Sequence, residues 1–267
     1  MKRVLITGKS GYIAGRFEAY LGRFPEQYRT ASVSLRDEAW TRMDFSQYDA
    51  VVHTAGLAHI KETAENAGEY YAVNRDLAEA AAKKAKAESV GQFLLLSSGS
   101  VYGVTEGVIT ADTKPHPCTH YGKSKFQGEE AVAALRAPDF KVAVLRPLMV
   151  YGEGCKGNYQ SLIKLARIAP VLPDYQNRRS LVSIETLCAC MKDVIDREAE
   201  GIFFPQEEKP LCTCEMLQEI AESLGRHPRR FKLLNPAVSL LRRTTAVGRK
   251  AFGDLVYQDL QYLPFDR

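Results

Sequence analysis

An α/β fold built on a doubly wound parallel sheet, followed by a smaller C-terminal region, is what this 267-residue chain predicts. Three observations carry that expectation. Short apolar runs alternate with helical periods through the first two thirds, a pattern that makes crossover units and parallel strands. A glycine turn, Gly8-x-x-Gly11, joins the first apolar run to the first helical one. The strongest later run, 92–97, ends in the paired hydroxyls of Ser97 and Ser98, and ligands meet such sheets at the carboxyl ends of strands.

The elements follow in order. Residues 3–7 are a short apolar strand, and 12–21 carry a helical period. Strands are expected at 30–35 and, more strongly apolar, at 50–54. A helix rich in Ala and spaced charge covers 70–87. A strand follows at 92–97, a helix at 121–135 and a strand at 141–146. Right-handed crossovers at each step wind the sheet on both faces. After Tyr151 the pattern changes to a glycine-rich loop at 152–157, a short helix at 161–168 and a break at 170–173. A strand at 181–184 and helices at 185–197 and 214–224 are expected next. The tail over 236–252 has an amphipathic pattern, for which packing on the body is a better account than membrane contact. The expected division is a nucleotide-binding domain over 1–155 and a smaller substrate-binding region over 156–267, with the stretch 178–197 packing back on the first.

The composition is 45% hydrophobic and 25% charged, ordinary for a soluble globular protein. A net charge of +4 with interspersed signs gives no reason to expect nucleic-acid binding. No apolar run approaches the roughly 20 residues of a membrane span, and the N-terminus lacks a signal core. A cytoplasmic location follows as the expectation. The six cysteines include two Cys-x-Cys pairs, not the spacing of common zinc sites, and read as free thiols with no metal.

The turn Gly8-Lys9-Ser10-Gly11-Tyr12-Ile13-Ala14 fits a dinucleotide. Gly8 allows the tight turn, Gly11 the approach of a pyrophosphate, and the small Ala14 a close helix-strand contact. The helix N-terminus offers N–H groups and a positive dipole end to the phosphates. Gly8, Ser10, Gly11, Tyr12 and Ile13 are therefore expected cofactor contacts in a fold of the Rossmann type. Where an acidic residue would hold the ribose of NAD, this chain has Ser34 with Arg36 nearby, a pair that suits a 2′-phosphate and favours NADP over NAD.

Tyr121-Gly122-Lys123-Ser124-Lys125 opens a helix, and residues i and i+4 share a face. An ammonium at Lys125 near the phenol of Tyr121 would favour tyrosinate and make an acid/base group near neutral pH. Ser98, at a strand end, is placed to hydrogen-bond the reacting oxygen of a substrate. The order of glycine turn, strand-end serine and Tyr-x-x-x-Lys is far more specific than any one part.

In these stretches the chain resembles the extended short-chain dehydrogenases, the NAD-dependent epimerase/dehydratase group that includes UDP-galactose 4-epimerase. The matching segments are Val4-Leu5-Ile6-Thr7-Gly8-x-x-Gly11-Tyr12-Ile13, Val52-His53-Thr54-Ala55-Gly56-Leu57, Tyr71-x-x-Asn74, Ser97-Ser98-x-x-Val101-Tyr102-Gly103, Tyr121-x-x-x-Lys125 and Leu145-Arg146-Pro147-x-x-Val150-Tyr151-Gly152. The resemblance implies an NAD(P)-dependent enzyme acting on a nucleotide-sugar, a UDP-sugar first. It makes Ser98 the active-site hydroxyl, Tyr121 the acid/base and Lys125 the partner of the nicotinamide ribose. Asp44-Phe45 would lie beside the adenine. Thr54, Ala55, Gly56, Asn74, Leu96, Ser97 and Pro147 would line the cofactor. Ser100, Asn158 and Arg179 would join Ser98 in holding substrate, the last two at its pyrophosphate. Members often dimerise through the helices matching 70–87 and 121–135, the expected faces should this chain pair as a homodimer.

The chain also departs from the group. Dehydratases carry an Asp-Glu pair directly after the hydroxyl residue, where this chain has Gly99 and Ser100. Elimination of water needs that acid and base. The expected reactions are therefore 4-ketoreduction or 4-epimerisation, and the stretch 154–182 is more similar to polysaccharide-pathway members that handle 6-deoxy-4-keto amino sugars. A non-catalytic NADP-binding sensor or scaffold of the same fold is the alternative from another class.

Overall fold

The computed structural model describes residues 1–58, 60–155 and 157–265, with the side chain of Asn158 outside the described part. Apart from one unexpected strand, the fifth, the first half alternates as read: β1 (Lys2–Thr7), α1 (Tyr12–Leu21), β2 (Tyr28–Val33), β3 (Ala50–His53), α2 (Ala67–Tyr71), α3 (Leu77–Ala87), β4 (Gln92–Leu96), β5 (Gly107–Ile109), α4 (His120–Ala133) and β6 (Lys141–Leu145). β5 pairs with Leu255–Tyr257. The second half adds β7 (Val150–Tyr151), α5 (Asn158–Ile168), β8 (Val171–Pro173), β9 (Val182–Ser183), α6 (Ile184–Asp196) and β10 (Gly201–Phe203). It closes with α7 (Thr213–Ser223), β11 (Arg229–Phe231), α8 (Asn235–Thr244), α9 (Ala246–Phe252), β12 (Leu255–Tyr257) and β13 (Tyr262–Leu263).

The main sheet runs β2-β1-β3-β4-β6-β10-β13, parallel except at the last pairing. Its central strands β3, β4 and β6 are almost wholly buried because both faces are covered; in β1, Val4, Leu5 and Ile6 are fully buried. One core lies between the sheet and α1 with α6, around Phe17, Leu21, Leu187 and Met191. The other lies under α3 and α4, around Phe45, Phe93 and Phe140. The chain winds from β1 outward to β2, then back past β1 to β3. The loops leaving β1 and β3 therefore diverge and open a crevice at the carboxyl edge.

Three differences from the sequence reading have local causes. The helix expected over 70–87 is interrupted by a π-helical turn, Ala72–Asp76, between α2 and α3. Buried Asn74 sits inside it, and π turns tend to mark functional positions. A Cβ on Gly128 of α4 would come 2.4 Å from the carbonyl of Asn74, so α4 crosses this turn at backbone contact. The break expected at 170–173 is instead β8, which pairs with β11. The short strands β10 and β13 extend the sheet through residues with too little apolar length to be read as strands. The tail becomes α8 and α9, of which α8 buries only Val238. The cysteines are free; Cys118 is exposed and four of the others are buried.

Candidate active site

At the end of β1, Gly8 turns with a φ of +90°, and a Cβ there would meet the backbone N of Ala55 at 2.8 Å. The N–H of Gly11 closes the turn on the carbonyl of Gly8 at 2.7 Å. α1 then starts at Tyr12 with no side chain capping it. Its first N–H groups are left for an anion, which is what a pyrophosphate needs. Tyr12 itself turns toward the loop after β7, donating to the carbonyl of Glu153 at 2.9 Å. Ala14 is buried against the sheet; Ser10 is exposed, and Ile13 is half-buried on the core edge.

Beyond β2, the Ser34 hydroxyl accepts from the N–H of Arg36 at 3.3 Å, and Arg36 is exposed. Asp44 is exposed and takes hydrogen bonds from the N–H and hydroxyl of Ser46, which lower its pKa. The ring of Phe45 is fully buried in the core and is stacked neither on the crevice nor on solvent. Its backbone N–H donates to the carboxylate of Glu88 and its carbonyl accepts from the N–H of Tyr48 at 3.0 Å, so the expected place beside an adenine is not supported for Phe45.

The loop after β3 is tied down in two places. Thr54 donates its hydroxyl to the carbonyl of Thr7 at 2.7 Å. Asn74 brackets Leu57, accepting from its N–H at 2.8 Å and donating to its carbonyl at 3.1 Å, and also donates to the Ser124 hydroxyl at 3.0 Å. A Cβ on Gly56 would sit 2.9 Å from the ammonium of Lys125 and 3.1 Å from Asn74 Oδ1. Residues 56, 74 and 125, distant in sequence, thus meet at one point.

The residues expected to be catalytic lie at the adjoining edge. Ser98 ends the segment after β4. Its hydroxyl caps the 3₁₀ turn Gly99–Tyr102 by accepting from the N–H of Ser100 at 3.1 Å, and it donates to the hydroxyl of Ser100. Tyr121 stands in the first turn of α4 with its ring edge-on to buried Tyr70, centroids 6.3 Å apart. Burial raises the phenol's pKa, Tyr70 adds to the rise, and a hydrogen bond with Ser98 opposes it. Lys125 is buried one turn on and donates to the carbonyl of Leu96 at 2.9 Å. Burial lowers its pKa to about 8, against an upward push from Glu129. The expected depression of the Tyr121 pKa by Lys125 is absent from these influences. Ser98 is the neighbour that lowers it, because the ammonium is directed at the β4 carboxyl end.

Pro147 is buried, and its carbonyl accepts from the N–H of Gly99 at 2.9 Å, joining the ends of β4 and β6. The Arg179 side chain is mostly buried, and its Nη1 donates to the carbonyl of Gly253 at 2.9 Å. Among the described residues it has no carboxylate partner, and burial lowers its pKa while Asp254 opposes. Ser100 is exposed beside Ser98. The expected role of Asn158 falls on a side chain outside the described part.

The residues present fit a dinucleotide. Gly8 and Gly56 are positions where a Cβ would collide, α1 opens without a cap, and the Ser97 hydroxyl at the end of β4 is buried without a hydrogen-bond partner among the described residues.

A family model described as the NAD dependent epimerase/dehydratase family matches residues 4–201. The chain belongs to that family. It is 33% identical over 189 residues to a UDP-glucose 4-epimerase of Vibrio cholerae, covering 66% of this chain and 57% of that one. It is 26% identical over 250 residues to a GDP-6-deoxy-D-mannose reductase of Pseudomonas aeruginosa, covering 83% and 81%. The chain thus spans little more than half of the Vibrio relative. The fold is similar to that of UDP-glucuronic acid 4-epimerase from Bacillus cereus in complex with NAD, with a TM-score of 0.71, 16% identity and 94% of each chain covered. It is equally similar, at 0.71 and 16%, to a dTDP-4-dehydrorhamnose reductase from Bacillus anthracis in complex with NADP, covering 98% and 95%.

Two features escaped the sequence reading. Glu62 accepts from the backbone N–H groups of His120 and Tyr121 at 3.1 and 2.9 Å. No spacing signals a contact across 59 residues. Glu129 forms a buried ion pair with Arg146, whose Nη1 also donates to the hydroxyl of Tyr102 at 2.9 Å. Here a signal existed: Glu129 follows Tyr121 and Lys125 at two successive steps of four, on the same helix face.

Proposed function

We propose that this protein is an NAD(P)-dependent oxidoreductase acting at carbon 4 of a nucleotide-sugar, a UDP-sugar of a surface polysaccharide pathway, and that it works as a 4-ketoreductase. The observation that carries this reading is the meeting of Ser98, Tyr121 and Lys125 at the carboxyl edge of a glycine-turn crevice. A bound NAD(P) would supply the hydride. Ser98 orients the sugar oxygen and Tyr121 delivers its proton. Burial favours the neutral phenol, which is the form that gives a proton to a reduced ketone. Lys125, with Asn74 and Gly56, offers an ammonium to the ribose hydroxyls. Ser34 and the exposed Arg36, which has no ion-pair partner among the described residues, support NADP. Arg179 is suited to a substrate phosphate as a buried guanidinium without a carboxylate. The alignment with the mannose reductase, which spans 81% of that enzyme, supports the reductase.

The 33% identity with the Vibrio 4-epimerase favours epimerisation as the second reading. It uses the same residues, with Tyr121 first taking and later returning the proton. The test is turnover: NADPH oxidation with a UDP-4-keto-6-deoxy sugar, against interconversion of UDP-glucose and UDP-galactose. Oxidation with the ketone supports the first reading and interconversion the second. Tight NADP binding with neither reaction would leave a non-catalytic binding protein.

A further inference from the structure

Between Glu222 and Asp254 the chain carries eight Lys or Arg residues and no Asp or Glu. The whole chain is only +4, so the remainder is net acidic and positive charge is concentrated in one segment. That segment folds as β11, the turn Lys232–Leu234, α8 and α9. It also shows the most exposed aliphatic side chains near the C-terminus: Leu233 is 89% exposed, Val247 75% and Leu240 63%. Leu233 lies in the turn that leads into α8, Leu240 in α8 and Val247 in α9. Ile168, 73% exposed, ends α5 just before β8, the strand paired with β11.

Single exposed leucines are common on soluble proteins, but several among unopposed cations are not. Arg230 is held by Asp174, and Arg242 by Glu106 and the hydroxyl of Tyr175. Lys232, Arg243 and Lys250 are exposed and have no carboxylate partner among the described residues. A second copy seated here would set two acid-free basic segments against each other. A nucleic acid would be met by aliphatic side chains rather than the aromatic faces on which bases stack. Aliphatic residues flanked by cations match a surface with anionic headgroups over hydrocarbon.

We propose that α8, α9 and the turn before them form a peripheral docking face for a bilayer of anionic phospholipid. Leu233, Leu240 and Val247 enter the headgroup–acyl boundary, and Lys232, Arg243 and Lys250 lie over the headgroups. No helix among the described residues is long and apolar enough to cross a membrane, so the contact is one of surface binding. The inference is independent of the sugar chemistry, since none of these residues belongs to the crevice.

Cosedimentation of the full chain with vesicles tests it, using phosphatidylcholine alone and mixed with phosphatidylglycerol. Binding is expected only to the mixed vesicles. The triple variant Leu233→Ser, Leu240→Ser, Val247→Ser should weaken it about tenfold or more. The triple variant Lys232→Gln, Arg243→Gln, Lys250→Gln should weaken it about a hundredfold. Both variants should keep the wild-type melting temperature. Absence of binding to the mixed vesicles overturns the proposal, as does full binding by the serine variant. So would a wild-type dimer in light scattering that the serine variant converts to monomer, or tighter binding to duplex DNA than to the mixed vesicles.

Discussion

The carboxylate of Glu62 accepts a hydrogen bond of 2.9 Å from the backbone N–H of Tyr121. Glu62 comes from the loop after β3, so that loop holds the first turn of α4 where Tyr121, the proposed acid/base, stands. A carboxylate at a helix N-terminus is favoured by the free N–H groups and the dipole, by about 1 kcal/mol. Glu62→Ala should lower stability by roughly that amount and lower kcat more than it changes the Kd for NADP, because Tyr121 loses its fixed position. Unchanged kcat with lowered stability would show a purely structural clamp.

Replacing Tyr121 by Phe removes the proposed proton donor and leaves the ring against Tyr70. The expected loss in kcat is about 10² to 10⁴-fold, with cofactor affinity retained. Turnover at the wild-type rate would remove Tyr121 from the chemistry.

Gly99 occupies the place of the dehydratase acid, and the fold leaves it no room. A Cβ there would lie 2.3 Å from Leu148 Cδ2 and 2.8 Å from the hydroxyl of Tyr257. Gly99→Asp should destabilise the protein by roughly 1–3 kcal/mol through overpacking and create no dehydratase activity. A stable variant in denaturant melts would show that Leu148 yields easily.

The buried Glu129–Arg146 pair stands behind Lys125. Glu129→Leu would strand a buried guanidinium, at a cost of about 3–5 kcal/mol. Denaturant unfolding measures it, and a loss below about 1 kcal/mol would mean that water reaches Arg146.

Lys125 makes stability depend on pH in a predictable direction. Its pKa falls from 10.5 to about 8 on folding. Between those values the unfolded chain binds more protons, so this residue's contribution favours the fold more as pH rises, and its penalty is complete below about 8. Across that window the gain is on the order of 3 kcal/mol. Lys125→Met should flatten the rise relative to wild type in unfolding free energies. Parallel pH curves for the two proteins would show that the ammonium is solvated in the fold.

The sequence by itself determined the strands β1 to β4 and β6 in their approximate places, the glycine turn and the Tyr121–Lys125 pair. These are local: apolar runs, a turn that needs glycine, and side chains four apart on a helix. What only the tertiary structure decided was the convergence of Gly56, Asn74 and Lys125, the capping of α4 by Glu62, the pairing of Glu129 with Arg146, and the core position of the Phe45 ring. Those contacts join residues far apart along the chain, and their partners are chosen by how the helices cross the sheet. The π-helical turn at Asn74 and, apart from β9, the two- and three-residue strands of the C-terminal half belong to the same class. Their backbone conformation is set by neighbours in space, because segments so short carry too little periodicity to set it themselves.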